Sequence, residues 1–544
     1  MNKVSTLGDF TRKAVEDFIQ TVVFIDDKIY TSYSDLSLND EKKKQVTSPG
    51  RRKPATKSAA EKKDPSAQSL ASSEDNPNFS PHDIQASFAK KRIVCSLHQP
   101  RKTDTVSETS IVYKLCSAAD IVIVDWNLHG DIERAKTLVE NLVVQSLKEN
   151  PHQLRLVLVY TDTPNLFHIA DQLSERLSEK VPDEIEDNPA DKGLAFHTSS
   201  ARVVVFGKPT QRLPEFKDFE VEEKDLADRA IAEFCKLADG MLQGCILQGL
   251  AAIRKNSRKV LTRFHSGLDG AFLTHRALGL PHEEAFDHIT PLLVAELEAI
   301  LEDSLETPLV NDGVLKDWCD NHVVGKHIEN KISGVDIHEF TYRFCCTGYE
   351  VLNIRGLQNK PAKKQLPNTL CPDNKANPPS ADQSSMSELA ILMSQKAHYK
   401  SKRNCLKLGT VLRECSGGER YLLCLQPVCD SVRLSGSKPF LFCYLDVSSN
   451  NKKVTHIIPE GEEYCELSFN PCKENRLLIA FSANHKETVS EKKGTGIFLD
   501  DKQNKYKWIA QLKPDHAQQA AEKFARELSR VGLTESEWLR LRAK

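Results

Sequence analysis

The sequence predicts an α/β doubly wound domain at the N-terminal end, a helical region after it, and a β-rich C-terminal domain. Three observations carry this reading. Five short runs, TVVFI (21–25), RIVCSL (92–97), IVIV (121–124), RLVLVY (155–160) and RVVVF (202–206), are continuously apolar, as strands covered on both faces should be. Helical patterns such as ERAKTLVENLVVQSLKEN and PNLFHIADQLSERLSEK lie between the later runs, and strand–helix alternation implies a parallel sheet with helices on both sides. Beyond residue 400 the pattern changes to short strands at close intervals.

The order of segments follows from composition. A chain of 544 residues exceeds one ordinary core, so two or three domains are expected. Residues 1–215 form the α/β domain. Within it, about residues 34–80 hold almost no large apolar side chains and read as a disordered insertion whose basic cluster, Lys42 to Lys63, is a solvated linker. A second, acidic insertion, VPDEIEDNPADKGLAFHTSS, precedes the last strand. Residues 216–356 read mainly as helix: DLADRAIAEFCKLADGMLQGCILQGLAAIRK is long and apolar at helical spacing, and EEAFDHITPLLVAELEAILED repeats that character with a Pro-induced break. This region suits a relay or a homodimer contact. His265 and His275 within it read as surface or hydrogen-bonded histidines before metal ligands. Residues 357–385 form a Pro/Asn/Ser linker, and 386–544 a small β-barrel or sandwich closed by a terminal helix.

Charge and cysteine usage narrow the function classes. The formal net charge of -2 gives no electrostatic reason to expect nucleic acid or membrane as the main partner. No helix-turn-helix with a basic recognition helix follows the α/β domain. No apolar run approaches the roughly 20 residues of a spanning helix, and the first residues read as an amphipathic helix without a secretion signal. The 15 cysteines are scattered, many inside apolar runs, as in a reducing cytoplasm.

The chemistry is carried by the C-terminal ends of the first domain's strands. Asp26 and Asp27 follow VVFI, Asp125 follows IVIV, Thr161 follows LVLVY, and Lys208 with Pro209 follows VVVFG. In a doubly wound sheet these ends converge on one crevice, where ligands bind. Three crowded aspartates repel and raise one another's pKa, and a hard divalent cation, Mg²⁺, removes that conflict. One carboxylate oxygen is then able to attack a phosphoryl group, with the cation, the Lys208 ammonium and the Thr161 hydroxyl balancing charge on its oxygens. Singly, an Asp-Asp turn, a strand-end Asp and a Lys-Pro are common turn and cap residues. Four such fragments in order on four strand ends are what give the pattern its specificity.

The pattern resembles the receiver domain of bacterial two-component response regulators, the CheY-like family, over roughly residues 15–225. The motifs that carry the resemblance are FIDDKIY, IVIVDWNLHGD, LVYTD and FGKP. It implies a flavodoxin-like sheet of strand order 2-1-3-4-5. It also implies Asp125 as phosphoacceptor, Asp26 and Asp27 as metal ligands with Asp27 the more direct, the backbone carbonyl of Asn127 completing the metal site, and Thr161 and Lys208 stabilising the phosphoryl group. A histidine kinase or histidine-kinase-like ATPase is the implied partner, and a phosphoacceptor signalling protein, not a classical enzyme, the implied role.

Three departures from the family pattern stand out. The Asp26-to-Asp125 separation is about twice the family's, an excess that the polar insertion absorbs. Asp162 occupies the place after Thr161 where receivers carry a small residue. Val205 stands where the switch aromatic is expected, with Phe206 displaced by one, so the Thr/aromatic relay is in question. A pseudo-receiver scaffold in a bacterial stress or antiphage defence system is the alternative. In the C-terminal domain RYLLCLQPVCDS loosely resembles a strand-end phrase of bacterial β-domains from defence gene clusters. Cys429 and Asp430 are its candidate site, as nucleophile or as thiolate ligand with Cys424, and a buried apolar cysteine is the plainer reading.

Overall fold

In this computed structural model, residues 6–30, 80–149, 153–181, 185–187, 191–198, 200–209, 214–278, 286, 288–305, 309–322, 331–332, 335–348, 367, 370–372, 382–398, 404–415, 420–448, 453–461, 463–471, 475–485, 487–492, 494–528 and 541–542 are described. The insertion expected at about 34–80 and most of the expected linker 357–385 lie outside them. The chain divides into two compact units, Met1–Asn321 and His322–Lys544.

The first unit opens with α1 (Leu7–Phe18) and β1 (Thr21–Ile25), followed after the insertion by α2 (Pro81–Lys90) and β2 (Val94–His98). Next come α3 (Ile111–Ser117), β3 (Ile121–Val124), α4 (Ile132–Glu149), β4 (Arg155–Thr161) and α5 (Leu166–Lys180). Three further strands, β5 (Glu186–Asp187), β6 (Ala195–His197) and β7 (Ala201–Gly207), complete a sheet of order β2-β1-β3-β4-β7-β6-β5. The five strands from β2 to β7 are parallel, the pattern expected of a receiver-like α/β fold, and β5 and β6 add an antiparallel edge. The acidic insertion before the last strand thus supplies two strands, a point their shortness concealed.

Why the central runs are continuously apolar is visible in the packing. Val122 and Val124 of β3 join one core with α3, α4 and α5, while Ile121 and Ile123 join a second core on the opposite face with α1, α2 and a later helix, α6 (Leu226–Cys235). Every β3 side chain is buried, so no position is left for a polar residue until the strand ends. Asp120, at the start of β3, accepts from the Gln20 and Thr21 N–H groups and the Thr21 hydroxyl, which fixes the register of β1 against β3.

The helical region departs from the expected single long helix. It breaks at Lys236–Gly240 into α6 and α7 (Met241–Arg263), with Gly240 the N-cap of the second. Then follow α8 (Asp269–Leu278), α9 (Ile289–Ser304) and α10 (Asp312–His322). Pro291 does not break α9: it sits in the first turn, where a missing N–H costs no helical bond. His265 accepts from the Gly267 N–H, and His275 lies against His288 with ring centroids 5.9 Å apart. Helix α7 crosses α1 and is anchored by Arg254, which donates to the Phe18 carbonyl and pairs with Asp120. These contacts lie at the N-terminal ends of the strands.

The second unit contains a short hairpin, β8 (Lys331–Ile332) and β9 (Val335–Asp336), then α11 (Ile337–Thr347) and α12 (Gln383–Ser394). An eight-stranded antiparallel sheet follows: β10 (Thr410–Glu414), β11 (Tyr421–Cys424), β12 (Ser437–Val447), β13 (His456–Glu460), β14 (Glu463–Phe469), β15 (Arg476–Ser482), β16 (Ile497–Leu499) and β17 (Lys505–Gln511). In strand β14, EYCELSF, Cys465, Leu467 and Phe469 alternate onto the core face. Terminal helix α13 (Pro514–Leu528) buries Ala517, Ala520 and Phe524 on one face of this sheet.

Candidate functional site

The acid residues occupy the C-terminal rim of the parallel sheet because each lies one or two residues beyond a buried strand. Asp26 follows β1 and Asp125 follows β3, and the Asp125 N–H still donates to the Ile25 carbonyl at 2.8 Å, extending the ladder by one rung. Carboxylate oxygens of Asp26, Asp27 and Asp125 lie within 4.8 Å of one another. Asp26 and Asp125 are buried, at 0 % and 2 % exposure.

Lys208, one residue past β7, reaches back across the rim. Its Nζ donates to Asp125 Oδ1 at 2.7 Å and to Asp26 Oδ2 at 2.8 Å. Burial pushes the Asp125 carboxyl up to about 6, Lys208 opposes that rise, and Asp26 adds to it. Burial by itself would lower the Lys208 ammonium, but the two carboxylates outweigh it and the group is pushed up to about 12. One ammonium shared by two carboxylates leaves the three-acid cluster net negative.

The remaining lone pairs differ among the three. Asp26 Oδ1 accepts from the Lys28 N–H at 2.8 Å, and Asp125 Oδ2 from the Asn127 N–H at 3.0 Å. Asp27 Oδ2 accepts from the His129 N–H at 3.1 Å, whereas Asp27 Oδ1 is buried without a hydrogen-bond partner. A buried carboxylate oxygen with no donor, beside two further carboxylates, is the arrangement a hard cation suits. The turn that carries Asn127 begins directly at Asp125, so its carbonyl belongs to the same loop.

Thr161 is fully buried at the end of β4, and its Oγ1 accepts from the Thr163 N–H at 3.1 Å and donates to Thr163 Oγ1 at 3.0 Å. The Lys208 N–H donates to the Thr161 carbonyl, binding the two strand ends together. Thus Asp26, Asp27, Asp125, Thr161 and Lys208 all stand on one rim. The displaced aromatic does not: Val205 lies in the core with α4 and α5, and Phe206, one residue on, points to the opposite face beneath Arg229. Strand periodicity of two makes a one-residue shift a change of face.

Two neighbours escaped the sequence reading. His129 stands in a tight turn with φ of 60°, followed by Gly130 at 80°, and its ring lies between Asp27 Oδ2 (Nδ1 at 3.4 Å) and the Pro100 carbonyl (Nε2 at 2.6 Å). The signal was the HG pair at a strand–helix junction. Lys28, directly after the acidic pair, forms an ion pair with Asp162 at 3.6 Å, so the unexpected carboxylate after Thr161 has a counter-charge.

The second candidate site looks different. Cys429 and Asp430 lie on a short 3-10 turn (Val428–Ser431), with Cys429 Sγ 3.5 Å from Asp430 Oδ1. Cys429 is exposed, contrary to the buried apolar reading, because the strand ends at Cys424 and the segment from Gln426 onward leaves the sheet. Cys424 is the buried one, its thiol pushed up to about 12 by burial. Among the described residues, the three-aspartate cluster is the group of His, Cys, Asp and Glu side chains arranged to hold a metal.

Residues 18–213 match the family described as the response receiver domain. The match is confined to this N-terminal part of the chain and supports a response-regulator-like signalling role. A receiver domain takes its input from a phosphodonor, in general a histidine kinase. Comparison with curated proteins and with solved structures gives no match. Among the described residues no helix is long and apolar enough to cross a membrane.

Proposed function

We propose that this chain is a response regulator that accepts a phosphoryl group on Asp125 from a histidine kinase or a histidine-kinase-like ATPase. The observation that carries the reading is the Lys208 ammonium shared between Asp125 and Asp26 at the rim where Asp27 also lies. In the transfer, an Asp125 oxygen forms the bond to phosphorus while the donor's bond to phosphorus breaks. Lys208 stays beside the reacting oxygen, and the Thr161 hydroxyl turns from Thr163 towards a phosphoryl oxygen. Asp26, Asp27, Asp125 and the Asn127 carbonyl would hold Mg²⁺, which when bound neutralises the acid cluster and the incoming group.

Output is proposed to run through the helical region to the C-terminal unit, whose sheet we read as a small barrel or sandwich. Exposed apolar side chains on α7 and α9, among them Leu242, Ile246, Leu250, Leu292 and Leu293, support pairing of two copies through that region. Without an aromatic at Val205, relay from Thr161 takes a route other than the Thr/aromatic couple.

The test is intact mass after incubation with acetyl phosphate and Mg²⁺. A single phosphate adduct that disappears in Asp125→Asn is expected. No adduct, under conditions that label a standard receiver, assigns the domain to a scaffold that keeps the fold without phosphate turnover.

A further inference from the structure

Lys28 and Asp162 meet across the rim, Nζ to Oδ2 at 3.6 Å. Lys28 follows β1 and Asp162 follows β4, and β3 lies between those two strands in the sheet. Their bridge therefore crosses the end of the strand that delivers Asp125. Both roots are held at the acid cluster: the Lys28 N–H donates to Asp26 Oδ1, and Asp162 directly follows Thr161, whose hydroxyl is fixed by Thr163. The side chains are 46 % and 40 % exposed, so the pair contributes little to stability and opens cheaply.

We infer that Lys28 and Asp162 form a charge-compensating clasp over the phosphoacceptor, an inference that rests on the reading of Asp125 given above. A bare carboxylate at the mouth repels an incoming phosphoryl dianion. Lys28 cancels that charge at rest. When the phosphoryl group arrives, the Lys28 ammonium exchanges one half-exposed carboxylate for a group of greater charge. Lys208 is held between two buried carboxylates and is not available for that movement. Covalent bookkeeping is unchanged: an Asp125 oxygen gains phosphorus, and acetate leaves acetyl phosphate with the electron pair of the broken bond.

The experiment follows adduct formation on the full-length protein with acetyl phosphate and Mg²⁺ by intact mass, at low and high salt. Lys28→Ala is expected to slow formation about tenfold, and Asp162→Ala to match or exceed the wild-type rate. The double variant should form adduct faster than Lys28→Ala, because part of the Lys28 effect runs through Asp162, and no faster than Asp162→Ala, because the ammonium also attracts the incoming group. Lys28→Arg should keep the rate, and the Lys28→Ala deficit should shrink at high salt. Equal rates for all variants, or a Lys28→Ala deficit of the same size without Asp162, overturn the clasp and leave Asp125 as phosphoacceptor. Absence of adduct from every form, wild type included, removes the phosphoacceptor reading and the clasp with it.

Discussion

The Lys208 ammonium lies 2.7 Å from Asp125 Oδ1, a contact between residues 83 positions apart that joins β7 to β3 across the sheet. Both groups are buried, and removing one partner strands the other. Lys208→Met should therefore lower the unfolding free energy in EDTA by about 3 kcal/mol. Millimolar Mg²⁺ should return part of that loss, since a cation supplies the missing positive charge. Urea unfolding followed by tryptophan fluorescence, with and without Mg²⁺, measures both. Equal Mg²⁺ effects on variant and wild type would show that Lys208 and the cation do not share the same carboxylates.

The acid rim was legible in the sequence because a strand buried on both faces announces its own end: IVIV tolerates no polar residue, so the aspartate after it marks the rim. The same logic located Asp26, Thr161 and Lys208. Lys28–Asp162 and His129–Asp27 were not legible, since each joins loops from different strands and depends on which strands are neighbours. The edge strands β5 and β6 were hidden because they are two and three residues long, too short to carry a period-two pattern. Cys429 misled for a related reason: apolar neighbours in sequence say nothing once the chain has left the sheet. At Pro291 position outweighed identity, because a proline in the first turn continues a helix that it would break further on.

The helical region rests on α1 through a close approach at Gly244. A Cβ there would stand 2.6 Å from the Phe10 ring. Gly244→Ala gains helix propensity but must displace a buried aromatic, so a net loss of about 1–2 kcal/mol is expected. Phe10→Leu should cost stability alone yet relieve the clash, making the double variant more stable than the sum of the single effects predicts. Thermal unfolding of the four proteins tests this; strict additivity would mean that α1 and α7 do not share this contact.

The C-terminal unit carries a pH dependence of its own. Burial lowers His456 from 6.5 to about 4, and the charges of His516 and Lys523 add to that effect. The folded form holds the imidazole neutral while the unfolded chain takes up the proton first. Its contribution is therefore complete above pH 6.5 and is lost as pH falls from 6.5 towards 4, on the order of 3 kcal/mol in all. His456→Gln should flatten that part of the profile. Unfolding midpoints at pH 7, 6, 5 and 4.5 for both proteins supply the comparison, and parallel curves would exclude His456 as the group responsible.

Asp27 separates the metal from the fold. Asp26 and Asp125 each accept from Lys208 and from a backbone N–H, whereas Asp27 Oδ1 is buried with no donor. Replacing Asp27 by asparagine removes one negative charge from a crowded cluster and keeps an oxygen for the His129 N–H. In EDTA the Asp27→Asn variant should be as stable as wild type or slightly more so, because repulsion falls and no ion pair to lysine is broken. With Mg²⁺ the order reverses: wild type should gain stability with rising metal, as any ligand specific to the folded form requires, and the variant should gain far less. A Mg²⁺ titration of the melting temperature reads this directly. If Asp27→Asn responds to Mg²⁺ as wild type does, the cation is held by Asp26 and Asp125 without Asp27, and the unsatisfied oxygen of Asp27 needs another explanation.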